Sequence, residues 1–245
     1  MIEFITNKTS KKEIIDAAKL GFFDDLENFN TVCEINETLL NDENFIFELL
    51  LNATFEHDFE KFEFIYNVFQ CVSNQLKHNR KFVEEMLDMN PVIYELLDFE
   101  LRDDYGLTLL AVKNYGSNLK YTTFRLQDDK NIVFAAIKND PLSYQYASTN
   151  IRDDKDFLIH NIEYYTPFSI KYCTDRLKND YDVAWTLIHK WSSCIKYMSD
   201  EIKDNFDIMF EAVRLHGSNI EYASERLQND PYLTWYSKYK SLYPM

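Results

Sequence analysis

The apolar and polar residues of this chain recur on a fixed beat. A motif of Leu or Ile, any residue, Asp or Asn, then Asp or Asn opens at Leu101, Leu126, Ile151, Leu177, Ile202 and Leu227, at intervals of 25, 25, 26, 25 and 25 residues. Leu76-Lys77-His78-Asn79 extends the series backward in weaker form, and Leu39-Leu40-Asn41-Asp42 reads as one more copy. Tyr121, Tyr146, Tyr172, Tyr197 and Tyr222 keep the same phase, followed two residues later by Thr123, Ser148, Thr174, Ser199 and Ser224. Turn residues line up at Pro91, Gly116, Pro141, Pro167, Ser192 and Gly217. Repetition at this period is the mark of a stacked array of small supersecondary units.

Each unit reads as two helices. Asp104, Asp129, Asp154, Asp180, Asn205 and Asp230 fall at an N-cap, where a short oxygen-bearing side chain satisfies the orphan amides of a first turn. Apolar residues follow at helical spacing: Ile132, Phe134, Ala136 and Ile137 in one copy, Ile208, Phe210, Ala212 and Val213 in another. The Pro or Gly column then closes the first helix and opens a shorter one carrying the Tyr and the closing Leu. Neither helix can bury its face alone, so the expected fold is all-α, an α-solenoid of tandem two-helix repeats of about 25 residues.

Upstream the beat is lost. Ser10 with Glu13 reads as a capping box before Ile14, Ile15, Ala18 and Leu20, with Gly21 as its stop. Asp58 to Leu76 reads as one long helix with Phe62, Ile65, Phe69 and Val72 on one face. The expected organisation is a helical N-terminal cap over residues 1–38, divergent acidic helical repeats over 39–100, and regular repeats over 101–245. The last of these closes on a polar half-unit from Pro231 to Tyr239.

Composition narrows the class. Nine Gly and Pro residues in 245 are too few for a turn-rich sandwich or barrel. No apolar run approaches the roughly eighteen residues of a membrane span, and Met1–Ser10 lacks the pattern of a signal peptide. Cys33, Cys71, Cys173 and Cys194 contain no close pair, so reduced thiols in a cytoplasmic setting are expected.

The phrases Leu126-Gln127-Asp128-Asp129, Ala136-Ile137-Lys138 and Tyr222-Ala223-Ser224-Glu225-Arg226-Leu227 resemble a known helical repeat, the family domain of unknown function four-one-one-six, from about Leu76 to Asp230. The resemblance implies helical repeats and assigns no activity. The chain departs from that pattern at Glu163, where a basic residue is expected, and at His160 and Asn161.

The search for chemistry returns little. There is no Gly-rich phosphate loop, no paired-His zinc motif and no nucleophile elbow. His57, His78, His160, His189 and His216 fall in different repeat columns, so neither a metal nor another cofactor is expected. A Tyr ladder preceded by Lys120, Lys171 and Lys196 could stack the bases of a single strand, but its spacing favours core packing, as it does for Cys71, Cys173 and Cys194. Lys113, Lys138 and Arg214 complement helix C-termini.

Charge carries the functional content. The net charge is −15, and residues 1–100 hold 21 acids against 8 bases, leaving 20 against 18 for the remainder. Between Gly21 and Glu60 there is no Lys or Arg at all. Phe22, Phe23, Phe29, Phe45, Phe47, Phe55 and Phe59 lie among these acids, most of them expected in the core. An acidic field of this kind either solubilises the chain or steers it to a basic partner. The expected function is therefore a non-enzymatic inhibitor or adaptor. Its acidic residues Asp24, Asp25, Glu27, Glu34, Glu37, Asp42, Glu43 and Glu48 would dock on a basic, nucleic-acid-binding protein, with no direct nucleic-acid or membrane binding. Two alternatives stand beside it. One is a scaffold that takes a peptide or helix in the concave face of the repeats through Lys138, Glu163, His189 and Arg214. The other is an enzyme using carboxylates such as Asp24 or Glu43 for acid–base chemistry or Mg²⁺.

Overall fold

The computed structural model describes residues 5–24, 35–55 and 57–242. Among the described residues there are helices and no strands, and the chain divides into two compact units, Met1–Thr123 and Phe124–Met245. The boundaries read from repeat phase, after residues 38 and 100, mark changes of regularity; the division into units falls after Thr123. The longer helices are numbered in chain order.

In the first unit these are α1 (Lys11–Lys19), α2 (Glu43–Asn52), α3 (Asp58–Cys71), α4 (Arg80–Met89) and α5 (Tyr105–Asn114). The Ser10 capping box forms, with the Ser10 amide 2.9 Å from a Glu13 carboxylate oxygen. After α1 the chain turns through Gly21 at φ 78°, a conformation that Gly adopts without a Cβ clash. The core joins Ile14 and Ala18 to Phe23, Phe45, Ile46, Leu49, Phe64, Ile65, Val68, Phe69, Phe82 and Met86. Phe23 meets Phe64 with ring centroids 4.7 Å apart. Of the phenylalanines expected inside, Phe59 is instead exposed, and Phe29 lies outside the described residues.

The expected Asp58–Leu76 helix is in fact broken. Its α-helical hydrogen bonds end at Cys71, Val72 is extended, and Ser73 caps a separate turn, Asn74–Lys77. Its buried face is accordingly Phe64, Ile65, Val68 and Phe69, with Phe62 exposed. Cys71 is half-buried against the core and disulfide-bonded, which corrects the reduced-thiol expectation for that residue; the other half of the bond lies outside the described residues. Cys173 and Cys194 are free and buried, and burial pushes their thiols up to about 11 and about 12.

The second unit holds α6 (Lys130–Asn139), α7 (Lys155–His160), α8 (Tyr181–Lys190), α9 (Phe206–Leu215) and α10 (Pro231–Leu242). In each regular repeat a ten-residue helix is followed by six residues of 3₁₀ helix, as at Ser192–Tyr197 and Gly217–Tyr222. Two extended residues, such as Met198 and Ser199, lead into a four-residue α-turn, such as Asp200–Lys203 or Glu225–Gln228. The second helix of the sequence reading is thus a 3₁₀ segment and a single α-turn. Ser and Thr explain the division, because each serves as the N-cap of the α-turn: the Ser199 hydroxyl accepts from the Ile202 amide at 3.1 Å.

The same hydroxyls fasten one repeat to the next. Ser199 donates to Asn179 Oδ1 at 2.5 Å, and Ser148, Thr174 and Ser224 donate to Asp128, Asp153 and Asp204. In the first unit Ser73 reaches Asn41 at 2.5 Å and Thr123 reaches Asp103. A backbone rung runs beside the side-chain rungs at Ser73, Ser148, Thr174, Ser199 and Ser224, such as Ser148 N–H to Gln127 C=O at 2.9 Å and Ser224 N–H to Lys203 C=O at 3.1 Å. The first acid of the repeated motif therefore links neighbours. The second caps its own long helix, as Asp180 accepts from Val183 at 3.0 Å. Where the first residue of a long helix is basic, it also reaches the next cap: Lys130 to Asp154 at 2.5 Å and Lys155 to Asp180 at 2.9 Å.

Each ten-residue helix buries its third, fourth, seventh and eighth positions. In α6 they are Ile132, Val133, Ala136 and Ile137, and in α9 Ile208, Met209, Ala212 and Val213, with Glu211 beside them. Full burial of one aliphatic side chain contributes about 1.5–3 kcal/mol, so the interior edge supplies most of the stability. Phe134 and Phe210, expected in this stripe, lie outside it and are half-buried. The tyrosine column is likewise half-buried rather than core: Tyr121, Tyr172 and Tyr197 carry Lys120, Lys171 and Lys196 over their rings, 5.1, 4.7 and 4.7 Å from the centroids. Helix α7 is short where the sequence departed from its pattern. Asn161 donates back to the Phe157 carbonyl at 2.8 Å and ends the helix after His160.

Replacing Ser224 by Ala removes both a cap and a rung. Stability is expected to fall by about 1 kcal/mol, measured as a lower denaturant midpoint at unchanged slope. An equal shift in the exposed control Ser193→Ala would deny the rung any contribution.

The acid response follows from the carboxylates. Thr174 and Arg176 hold Asp153 below its ordinary value, Lys130 and the Phe157 amide do so for Asp154, and Ser224 and Arg226 for Asp204. A lowered folded-state value means that the stabilisation is complete above the unfolded Asp value near 4 and disappears as the pH falls through the lowered values. Stability should be flat from neutral pH down to about 4–5 and decline below it, with a shallower decline in Asp153→Asn/Asp204→Asn.

Candidate interaction surface

A ten-residue helix that buries its third, fourth, seventh and eighth positions turns its first, fifth and ninth outward. In α8 these outward residues are Tyr181, Trp185 and His189, and in α9 they are Phe206, Phe210 and Arg214. In α10 the fifth and ninth are Trp235 and Tyr239, with Tyr232 and Tyr236 beside them. The rings form two groups, one on α8 and one spanning α9 and α10. Tyr181 stacks on Trp185 at 6.0 Å, Phe206 on Phe210 at 6.1 Å, and Trp235 on Tyr239 at 5.6 Å. Phe210 then bridges two helices, 5.8 Å from Tyr232 and 5.2 Å from Tyr236. Much of this surface meets solvent: Trp185 is 38% exposed, Tyr232 54% and Trp235 57%. The outer side of α10, expected to be polar, is thus aromatic.

One carboxylate sits within this face. Glu211 is buried, accepting from Arg214 Nε and Nη2 at 2.6 Å each, with His189 Nε2 2.9 Å away. His189 Nδ1 faces the Trp185 carbonyl at 2.7 Å, and its ring lies 5.0 Å from the indole. Arg214, then its charge and that of His189, hold the Glu211 carboxyl below its ordinary value against the opposing effect of burial.

The residues singled out from sequence separate into two groups. Of the repeat-face set, His189 and Arg214 converge on Glu211, Glu163 is held by Lys190 at 2.5 Å, and Lys138 is exposed at the end of α6. Of the acidic set, Asp42 is the N-cap of α2 and accepts from Phe45 at 3.2 Å, while Glu48 pairs with Lys11 at 3.0 Å. Glu37 is exposed and Glu43 half-buried, both in first turns. Asp24 ends a short 3₁₀ turn, Phe22–Asp24; Asp25, Glu27 and Glu34 lie outside the described residues. Among the described residues no cluster of three His, Cys, Asp or Glu side chains could hold a metal ion, and no helix is long and apolar enough to cross a membrane.

With this geometry in hand, comparison with known proteins becomes specific. The pattern of the family Domain of unknown function (DUF4116) matches three stretches, residues 104–152, 154–203 and 205–231, just over half of the chain. The chain belongs to this family. Each DUF4116 match begins at or beside a long-helix N-cap, so the matched stretches are the capped repeats themselves. No curated protein and no solved structure matches the chain. Helical spacing alone hides the aromatic face, because Phe134 and Phe210 satisfy a core spacing beside Ile132 and Ile208. The signal that finds it is the column Phe134, Ile159, Trp185, Phe210 and Trp235, one position past each buried pair.

Changing Glu211 to Gln keeps the volume but removes the charge that Arg214 and His189 share. Because both partners are about 40% exposed, the expected cost is modest, about 1 kcal/mol. Glu211 has a lowered folded value, so its contribution is present above about pH 4.3 and lost below it. The variant should accordingly differ from wild type at neutral pH and converge with it in acid; a gap independent of pH would contradict this role.

Proposed function

We propose that the protein is a non-catalytic helical-repeat scaffold that binds another protein on the outward face of its long helices. The observation that carries this reading is the exposed aromatic surface of α8, α9 and α10, with the rings of α9 and α10 in mutual contact. Stacked Tyr and Trp rings offer large apolar area at low entropic cost and keep a polar tip for hydrogen bonds, which is why such residues anchor interfaces. A contiguous exposed patch of this kind is costly for a surface with no partner.

A second reading rests on charge. The excess of 21 acids over 8 bases in residues 1–100 supports an inhibitor or adaptor that docks on a basic, nucleic-acid-binding protein through its acidic half. Its affinity would fall steeply with salt.

The two are separated by one comparison. A partner captured by wild type is titrated against Trp185→Ala/Trp235→Ala and against Glu37→Gln/Glu43→Gln/Glu48→Gln, after all three proteins give the same helical circular dichroism. Loss of about tenfold or more in the aromatic variant alone is the expected result. The same loss in the acid variant alone would transfer the function to the N-terminal half.

A further inference from the structure

The face described above is polarised along its helices. At their N-terminal ends stand Asp156, Asp182 and Asp207, in the first turns of α7, α8 and α9. At the C-terminal ends stand Lys138 in α6, His189 and Lys190 in α8, and Arg214 in α9. Between these rows runs the apolar column Trp185, Phe210 and Trp235. The arrangement agrees with the helix dipoles, and it presents a ligand with an apolar track flanked by an acidic edge and a basic edge.

The spacing of the track selects the shape of the ligand. Neighbouring packed helices stand about 8–10 Å apart, and the column contributes one ring per helix. On an α-helix, residues seven apart share a face at a separation of about 10.5 Å. Along a strand, same-face residues recur at multiples of about 6.8 Å, which falls out of step after one helix.

We infer that the ligand of this face is an amphipathic α-helix lying across α8, α9 and α10, with apolar anchors at heptad spacing, carboxylates on one flank and cations on the other. This rests on the reading of the aromatic face as a binding surface. The carboxylate flank lies along His189, Lys190 and Arg214, and the cationic flank along Asp182 and Asp207. His189 spends one donor and Arg214 two on Glu211, and Lys190 one on Glu163, but the Lys190 ammonium and the Arg214 guanidinium keep further N–H groups for an incoming carboxylate. The acidic edge is available too, since Asp207 is exposed and Asp182, though paired with Lys155, is 77% exposed.

The test uses the full chain and designed helical peptides of about eighteen residues, long enough to cross three helices. All carry the same Leu and Phe stripe. One has Glu on one flank and Lys on the other, one has Lys on both, and one has Glu on both. Binding is followed by the fluorescence of Trp185 and Trp235 and by anisotropy of a labelled peptide. The mixed peptide is expected to bind about tenfold tighter than the all-Lys peptide, the gap narrowing as salt screens the flanks. Asp207→Lys, at an exposed position, should shift preference from the mixed peptide toward the all-Glu peptide.

Equal binding of the mixed and all-Lys peptides, or an Asp207→Lys protein with unchanged preference, would overturn the inference and leave the aromatic face as a binding surface. Binding of no peptide, or binding that survives Trp185→Ala/Trp235→Ala unchanged, would remove the underlying reading and the inference together.

Discussion

Among the described residues, a repeat is typically held to the one before by a hydroxyl meeting a carboxylate or amide oxygen; at Asp98 a carboxylate takes the place of the hydroxyl and meets His78 Nε2 at 2.7 Å. Ser148 on Asp128, Ser199 on Asn179 and Ser224 on Asp204 are one bond repeated, with a backbone bond alongside. The apolar interior supplies more energy but little register, because aliphatic side chains slide past one another at small cost. The rungs supply direction and spacing. They also account for two adjacent Asp or Asn residues in the repeated motif, since the first faces the neighbour while the second caps the helix it precedes.

From that constraint the two edges of the array acquire different characters. The edge of 3₁₀ segments and α-turns consumes its polar groups in caps and rungs. Its tyrosines are half-covered, with lysines over their rings. The long-helix edge has no such obligations, because an α-helix satisfies its own backbone. Its outward positions can vary in chemistry without disturbing the stack, and there the second unit places its rings, its buried carboxylate and its opposed charge rows.

How much of this could be read from the chain depended on whether one residue or a relation between residues carried the information. The period, the caps at Asp104 through Asp230 and the helical class are written in single columns, and they stand in the structure as read. The break at Val72 was harder to see, because Phe62, Ile65, Phe69 and Val72 satisfy a helical spacing while Ser73 restarts the chain. Phe134 and Phe210 were assigned to the core on hydrophobicity, although Ile132, Val133, Ala136 and Ile137 already fill the buried positions. The convergence of His189 and Arg214 on Glu211 joins two helices and has no signature in either alone. The disulfide at Cys71 likewise depends on a pairing that spacing leaves open.

Because each rung joins residues only 20 to 32 apart in the chain, no bond of this kind ties distant parts of the sequence together. An array so connected can gain or lose one whole unit of 25 residues, and the rungs on either side close on the new neighbour. A gain or loss of any other length leaves a cap facing the wrong column. Such an array can therefore change its length by duplication and deletion of whole units while leaving the architecture of each unit untouched.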